Sequence, residues 1–181
     1  RHLAPAAARP AGVSEPYALP VAPLTRADFA PFGEVIEVPA QTAGIAMNAG
    51  SAERFVNLAQ IDCGAEGGRA VVSWVRAQPN PLPITLRLLE RHPLGTQAFI
   101  PLSRTPFLVI VASAPGDQPH AFYARGDQGI SYHRGTWHHP LLALKQVSDF
   151  LVIDRVGPGE NCEESPLYVR WQIDAGALPS A

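Results

Sequence analysis

The stretch Ile84-Thr85-Leu86-Arg87-Leu88-Leu89-Glu90-Arg91-His92 decides the reading of the fold. Ile84, Leu86 and Leu88 share one parity, and Thr85 and Arg87 take the other. That is the alternation of a strand with one face buried. Carrying the apolar parity forward brings Glu90 and then His92 onto the same inward row. A carboxylate turned inward is costly unless it is paired or ligated, so the end of this strand predicts a site. Pro93 and Gly95 supply a turn, and residues 97–102 return as the next strand.

Outward from this ribbon, the chain reads as many short strands punctuated by turns. Residues 34–38 alternate like an edge strand, and residues 39–52 read as a small polar loop. Strands are predicted at 71–76, 107–112, 120–125, 129–133, 137–144, 150–156 and 168–173. The run at 107–112 is continuously apolar, as a fully buried strand would be. Thr25 and Asp28 predict the cap of one short helix ended by Pro31 and Gly33. Eight or nine strands with few short helices argue for a mainly-β sandwich or barrel. Residues 1–16 are Ala- and Pro-rich without periodicity and read as a flexible or surface-draped arm, leaving residues 17–181 as one β domain.

Bulk properties narrow the function. The chain has 181 residues, of which 46% are hydrophobic and only 17% charged, against roughly 25% charged in ordinary soluble domains. Its 19 prolines and 15 glycines suit turns rather than long helices. A formal net charge of −2 leaves no basic footprint for nucleic acid. No apolar run reaches the roughly 18 residues that a spanning helix needs. Cys63 and Cys162 lie far apart, match no metal-clip spacing and suggest no disulfide, which points to a reducing cytoplasm. Segments such as G-x-S-x-G, H-E-x-x-H and G-x-G-x-x-G are absent.

The second informative segment is Tyr132-His133-Arg134-Gly135-Thr136-Trp137-His138-His139-Pro140-Leu141, which holds three of the six histidines. Neutral imidazole is the commonest metal ligand and titrates near neutrality. Each histidine also has a structural reading when taken alone. Arg91-His92-Pro93 can be a turn whose ring bonds backbone, and His139 before Pro140 reads as structural. Glu90 and His92 on one inward row favour chemistry instead. The spacing Glu90-x-His92-x4-Gln97, followed later by Gly135-Thr136-Trp137-His138, sends N and O donors from separate strands toward one point. Such an N2O2 set suits a borderline divalent metal. Arg54 has a fork able to grip a carboxylate, or else pairs with Glu53. Asp154 and Arg155 read as a structural ion pair at a barrel rim.

This spacing resembles the two cupin motifs, with Glu90 at the first His of the family pattern, His92 at the second, Gln97 at the Glu and His138 in the second motif. The longer segments resemble the ureidoglycolate lyase family. They are Leu86-x-x-Leu89-Glu90-Arg91-His92-Pro93-Leu94-Gly95-Thr96-Gln97-Ala98-Phe99-Ile100-Pro101 and Gly129-x-x-Tyr132-His133-Arg134-x-x-Trp137-His138-His139-Pro140-Leu141. Shorter matches are the Pro23-to-Glu37 segment, the Asn48-x-Gly50-x-x-Glu53-Arg54-Phe55 loop, the run from Ser148 to Arg155, and Asn161-Cys162. The resemblance runs from about Tyr17 to Glu164.

It implies a cupin-like double-stranded β-helix (a jelly-roll barrel), a homodimer, and the cleavage of ureidoglycolate to glyoxylate and urea in allantoin degradation. It also implies nickel as the associated metal, on Glu90, His92, Gln97 and His138. The implied catalytic residues are Glu90, His92, His133 and His138, with Asn48, Arg54, Gln97, Tyr132 and Trp137 binding substrate. Other readings stay open at this point. They are a non-catalytic cupin-like protein that binds a small acid, a different metal-dependent cupin enzyme, and a structural β-barrel protein that the inward Glu90 opposes.

Overall fold

A computed structural model of the chain describes residues 15–179. The expected arm at 1–16 therefore falls, apart from its last two residues, outside the described residues. In chain order the strands are β1 (Tyr17–Ala18), β2 (Val21–Pro23), β3 (Gly33–Ile36), β4 (Ile45–Met47), β5 (Ala52–Arg54), β6 (Arg69–Ala77), β7 (Ile84–Thr85), β8 (Leu88–Arg91) and β9 (Gln97–Pro101). They continue as β10 (Phe107–Ala112), β11 (His120–Ala124), β12 (Gly129–Tyr132), β13 (Trp137–His138), β14 (Leu142–Ala143), β15 (Ser148–Val156), β16 (Glu163–Pro166) and β17 (Trp171–Ile173). One short α-helix occurs among the described residues, α1 (Arg26–Phe29). The hydroxyl of Thr25 accepts from the Asp28 amide at 3.1 Å and donates to its carboxylate at 2.7 Å, as the sequence pattern predicts.

Two large sheets face each other. One runs β16-β8-β13-β10-β11-β2, with β14 also on β10, and the other runs β3-β12-β9-β15-β6. Between them lies a core containing Phe29, Val35, Phe99, Phe107, Val109, Val111, Phe122, Ile130, Tyr132, Phe150 and Val152. A third, small sheet, β1-β17-β7, covers the outer face of the first. It closes a second core around Leu19, Ile84, Leu86, Leu108, Ile110, Leu142 and Ile173. β10 explains its own composition. Phe107, Val109 and Val111 enter the first core while Leu108 and Ile110 enter the second, so both faces of one strand exclude water. Burying each such side chain contributes about 1.5–3 kcal/mol.

The mainly-β, cupin-like class expected from the strand spacing holds, but the hydrogen-bonded sheets do not close into one barrel. Three local expectations are corrected. Residues 84–92 are not one ribbon: β7 pairs with β17, whereas β8 pairs with β16 and β13. The chain crosses between sheets at Leu86-Arg87, where the Leu86 amide donates to Trp171 and the Arg87 carbonyl accepts from Leu167. The predicted strand at 137–144 is likewise split into β13 and β14, because Pro140 has no amide to give to the ladder. The loop at 39–52 contains the hairpin start β4 and a turn through Asn48, Ala49 and Gly50, all at positive φ.

Candidate active site

Directly opposed residues of an antiparallel pair share a face. The register aligns Glu164 with Glu90, Glu90 with His138, His138 with Val111, and Val111 with His120. Val111 belongs to the core between the large sheets, so this row is the inner face of its sheet, and Glu90 and His138 sit on it side by side. His92 follows Glu90 by two residues and keeps its parity.

The two imidazoles are oriented from behind. His92 Nδ1 lies 2.7 Å from the Asn161 carbonyl, and His138 Nδ1 lies 2.9 Å from the Thr136 carbonyl. A carbonyl only accepts, so Nδ1 is the donor in both rings, which leaves both Nε2 atoms for the site. These two Nε2 atoms are buried and have no hydrogen-bond partner. One oxygen of Glu90 stands 3.4 Å from His138 Nε2. The ligand atoms of Glu90, His92 and His138 all lie within 4.8 Å of one another.

Three ligating groups thus converge, and the two buried imidazole nitrogens among them have no hydrogen-bond partner in the protein. Buried polar atoms left unpartnered are unfavourable, and a bound cation would satisfy them. The Asn161 and Thr136 carbonyls behind the rings are of the kind that metal-bound histidines ordinarily engage. The residues therefore fit a borderline divalent metal.

Tyr132, from the facing sheet, lies flat on His138 with ring centroids 4.1 Å apart and planes 17° from parallel. Its phenol is buried, and burial with the Glu90 charge nearby pushes its pKa far above the usual value. Gln97 is the register partner of Tyr132, so it shares that face, and its buried amide oxygen has no partner. The His138 ring beside it holds the Glu90 carboxyl below the usual carboxylate range, against the opposing effect of burial. Burial also lowers the pKa of His139, whose Nδ1 bonds the Pro140 carbonyl.

A tight turn ties these parts together. Gly135 has φ +75, a left-handed conformation that favours glycine. Its amide donates to the His92 carbonyl at 2.9 Å.

Other expected residues lie elsewhere. His133, one position after Tyr132, is exposed and lines a cavity of about 410 Å³ with Phe32, Ser113, Arg134 and Trp137. Trp137, one position before His138, takes the opposite face and sits under the Arg91 guanidinium, 4.8 Å from its centroid. Asn48 and Arg54 are exposed on the β4–β5 hairpin. Glu53 bonds the Gly44 amide rather than pairing with Arg54. Arg155 forms no ion pair with Asp154. It is 7% exposed and donates to the carbonyls of Ala65 and Pro158.

The sequence reading missed Glu164 and Cys162, which border Glu90. It also missed the carbonyls of Asn161 and Thr136. The Asn161-Cys162 match was the one available signal for that edge.

A sequence profile of the ureidoglycolate lyase family matches residues 16–174. The chain belongs to the ureidoglycolate lyase family. It is 51% identical over 165 residues to a ureidoglycolate lyase of Burkholderia mallei, covering 88% of this chain and 96% of that one. It is 49% identical over 152 residues to a ureidoglycolate lyase of Rhizobium etli, with 82% and 91% covered. One from Azotobacter vinelandii is 50% identical over 151 residues, with 81% and 90% covered. These matches cover 81–88% of this chain and 90–96% of the three relatives. Among the described residues no helix is long and apolar enough to cross a membrane.

Proposed function

We propose that this chain cleaves ureidoglycolate into glyoxylate and urea, with Glu90, His92 and His138 as its reactive centre. The observation that carries this reading is the convergence of two unpartnered imidazole nitrogens on an inward carboxylate, in a member of the ureidoglycolate lyase family.

The substrate carries a carboxylate, a hydroxyl and a ureido nitrogen on one carbon. Cleavage removes the hydroxyl proton, forms the carbonyl, breaks the carbon–nitrogen bond and returns a proton to the nitrogen. No net proton is gained or lost, so one well-placed base suffices. Glu90, ionised at neutral pH, takes the hydroxyl proton. His138, 3.4 Å away, steadies the protonated carboxyl, which then gives the proton to the departing urea. Such a group is worth about 10²–10⁴-fold. Glu90, His92 and His138, with the Gln97 amide oxygen on the facing sheet, would hold a divalent metal such as nickel. When bound it would supply Lewis acidity toward the substrate hydroxyl. Arg54 and Asn48 sit outside this centre, and their role in gripping the substrate carboxylate requires the hairpin to close over it.

The proposal extends to a homodimer. β6 is a nine-residue edge strand that exposes Val72 and Trp74, 65% and 62% accessible. An unpaired apolar edge of this kind invites a second copy. The cysteines, both free thiols, suit a reducing cytoplasm, where the reaction would serve allantoin breakdown.

The deciding experiment is release of urea and glyoxylate from racemic ureidoglycolate, with and without chelator. Equimolar appearance of the two products supports the reading. Tight binding of the substrate with no urea released, or oxygen uptake, overturns it.

A further inference from the structure

Asn161 grips the turn that carries His92 at two points. Its backbone carbonyl accepts from His92 Nδ1 at 2.7 Å, and its side-chain oxygen accepts from the Leu94 amide at 2.8 Å. Pro93 lies between them and has no amide to offer, so one residue spans the turn from this side. From the other side the Gly135 amide donates to the His92 carbonyl at 2.9 Å, and Arg134 donates to the Pro93 carbonyl at 3.2 Å. Those two bonds hold backbone. The grip from Asn161 reaches the imidazole itself.

Asn161 lies between the end of β15 at Val156 and the start of β16 at Glu163, outside regular structure. Arg155 steadies this stretch. It is 7% exposed, and its guanidinium donates to the Pro158 carbonyl at 2.6 Å and to the Ala65 carbonyl at 2.8 Å. A buried charge is costly unless its donors are used. Here they tie down the turn that leads to Asn161. Gly159, at φ +88, completes the close approach, because a Cβ there would meet both Leu94 and Glu66.

We propose that Asn161 is a positioning residue for the reactive centre. Its side-chain amide pins the His92–Leu94 turn, so that the His92 ring stays on the Asn161 carbonyl and leaves Nε2 to the site. Arg155 braces the segment that delivers Asn161. The inference rests on the reading of His92 as part of the reactive centre, and it adds a residue that touches neither substrate nor metal. A carbonyl behind a ring orients it only if the carbonyl is itself held, and the bond to Leu94 does the holding.

The test uses the full chain, first without metal. Nuclear magnetic resonance of wild type is expected to show a slowly exchanging Leu94 amide and a downfield proton resonance for His92 Nδ1–H. The Nδ1–H of His138, held by Thr136, serves as internal reference. Asn161→Ala removes the side-chain oxygen and leaves the backbone carbonyl. It is expected to speed Leu94 exchange about tenfold and to lose the His92 resonance while His138 keeps its own. Asn161→Asp retains an oxygen at that position and is expected to keep both signals. Calorimetric titration with Ni²⁺ then reads the consequence, an affinity about 10–100-fold weaker in Asn161→Ala and recovered in Asn161→Asp.

A Leu94 amide that exchanges at the unprotected rate in wild type overturns the proposal, with no variant needed. A His92 resonance indifferent to Asn161→Ala also overturns it. So does a nickel affinity left unchanged by Asn161→Ala while Tm drops, the mark of a merely structural residue. If wild type binds no nickel, the metal reading fails and the exchange and ring signals decide this proposal by themselves. Missing urea release with those signals intact counts against the lyase reading alone.

Discussion

Glu90 and His138 are register partners on adjacent strands, and their side chains meet at 3.4 Å on the inner face of the larger sheet. The imidazole is almost fully buried, while the carboxylate side chain is 20% exposed to solvent. One partner is thus fixed by packing and the other is reachable by a small molecule, as a base and its support should be.

Glu90→Gln keeps the size of the side chain and removes its basicity. The variant is expected to fold with an unchanged circular dichroism spectrum and to lose about 10²–10⁴-fold in kcat. Urea release measured at saturating substrate checks this, and near-native turnover would remove Glu90 from the chemistry.

Tyr132 separates support from contact. Tyr132→Phe retains the ring that lies on His138 and is expected to keep most of the metal affinity. Tyr132→Ala leaves a cavity that costs about 3–5 kcal/mol of stability. It also frees the imidazole, with a further loss of about 10–100-fold in metal affinity. Calorimetric titration with Ni²⁺ alongside urea denaturation distinguishes the two effects.

Acid should act through Glu90 in a definite direction. Its folded pKa lies below the ordinary carboxylate value, so the unfolded chain binds more protons through that range. The resulting stabilisation is complete at neutral pH and is lost as pH falls through the depressed folded value. Unfolding free energies across an acid pH series should therefore fall less steeply for Glu90→Gln than for wild type. Parallel curves would show that the carboxyl is not perturbed by the fold.

A divalent metal that binds only the folded chain should stabilise it by about 2.7 kcal/mol at a free concentration 100 times Kd. Ni²⁺ or Zn²⁺ is expected to raise the wild-type Tm and to leave the Tm of His92→Ala unchanged. An equal rise in both would place the bound ion elsewhere.

Trp74→Glu puts a charge on the exposed edge strand. Light scattering should show wild type at twice the chain mass and the variant at one. A monomeric wild type would discard the dimer.

Much of this was legible in the residues. The apolar run of β10 announced a strand buried on both faces, and Thr25 with Asp28 announced the helix start. Glu90, His92 and His138 were readable because the two-residue spacing of Glu90 and His92 and the turn spacing are local, although the apolar row they were joined to does not continue: Ile84 and Leu86 enter the second core, whereas Glu90 shares its face with His138 and Val111 in the first. The switch of sheets at Leu86-Arg87 was not, since alternation looks the same whether a strand continues or bends into another sheet. β16 escaped notice because Glu163-Glu164-Ser165-Pro166 is polar and short, with no apolar rhythm to mark it. Cys162 and Glu164 were hidden with it. His133 and Trp137 were grouped with the site by closeness in sequence, and strand alternation turned both away.

β10 is a party wall shared by two rooms. Neither core can come apart without stripping the wall that the other leans on, so the two have no independent existence. Heating should reveal one sharp, all-or-none melting event, and trimming Ile110 to Ala on one side should lower the melting point of the whole molecule.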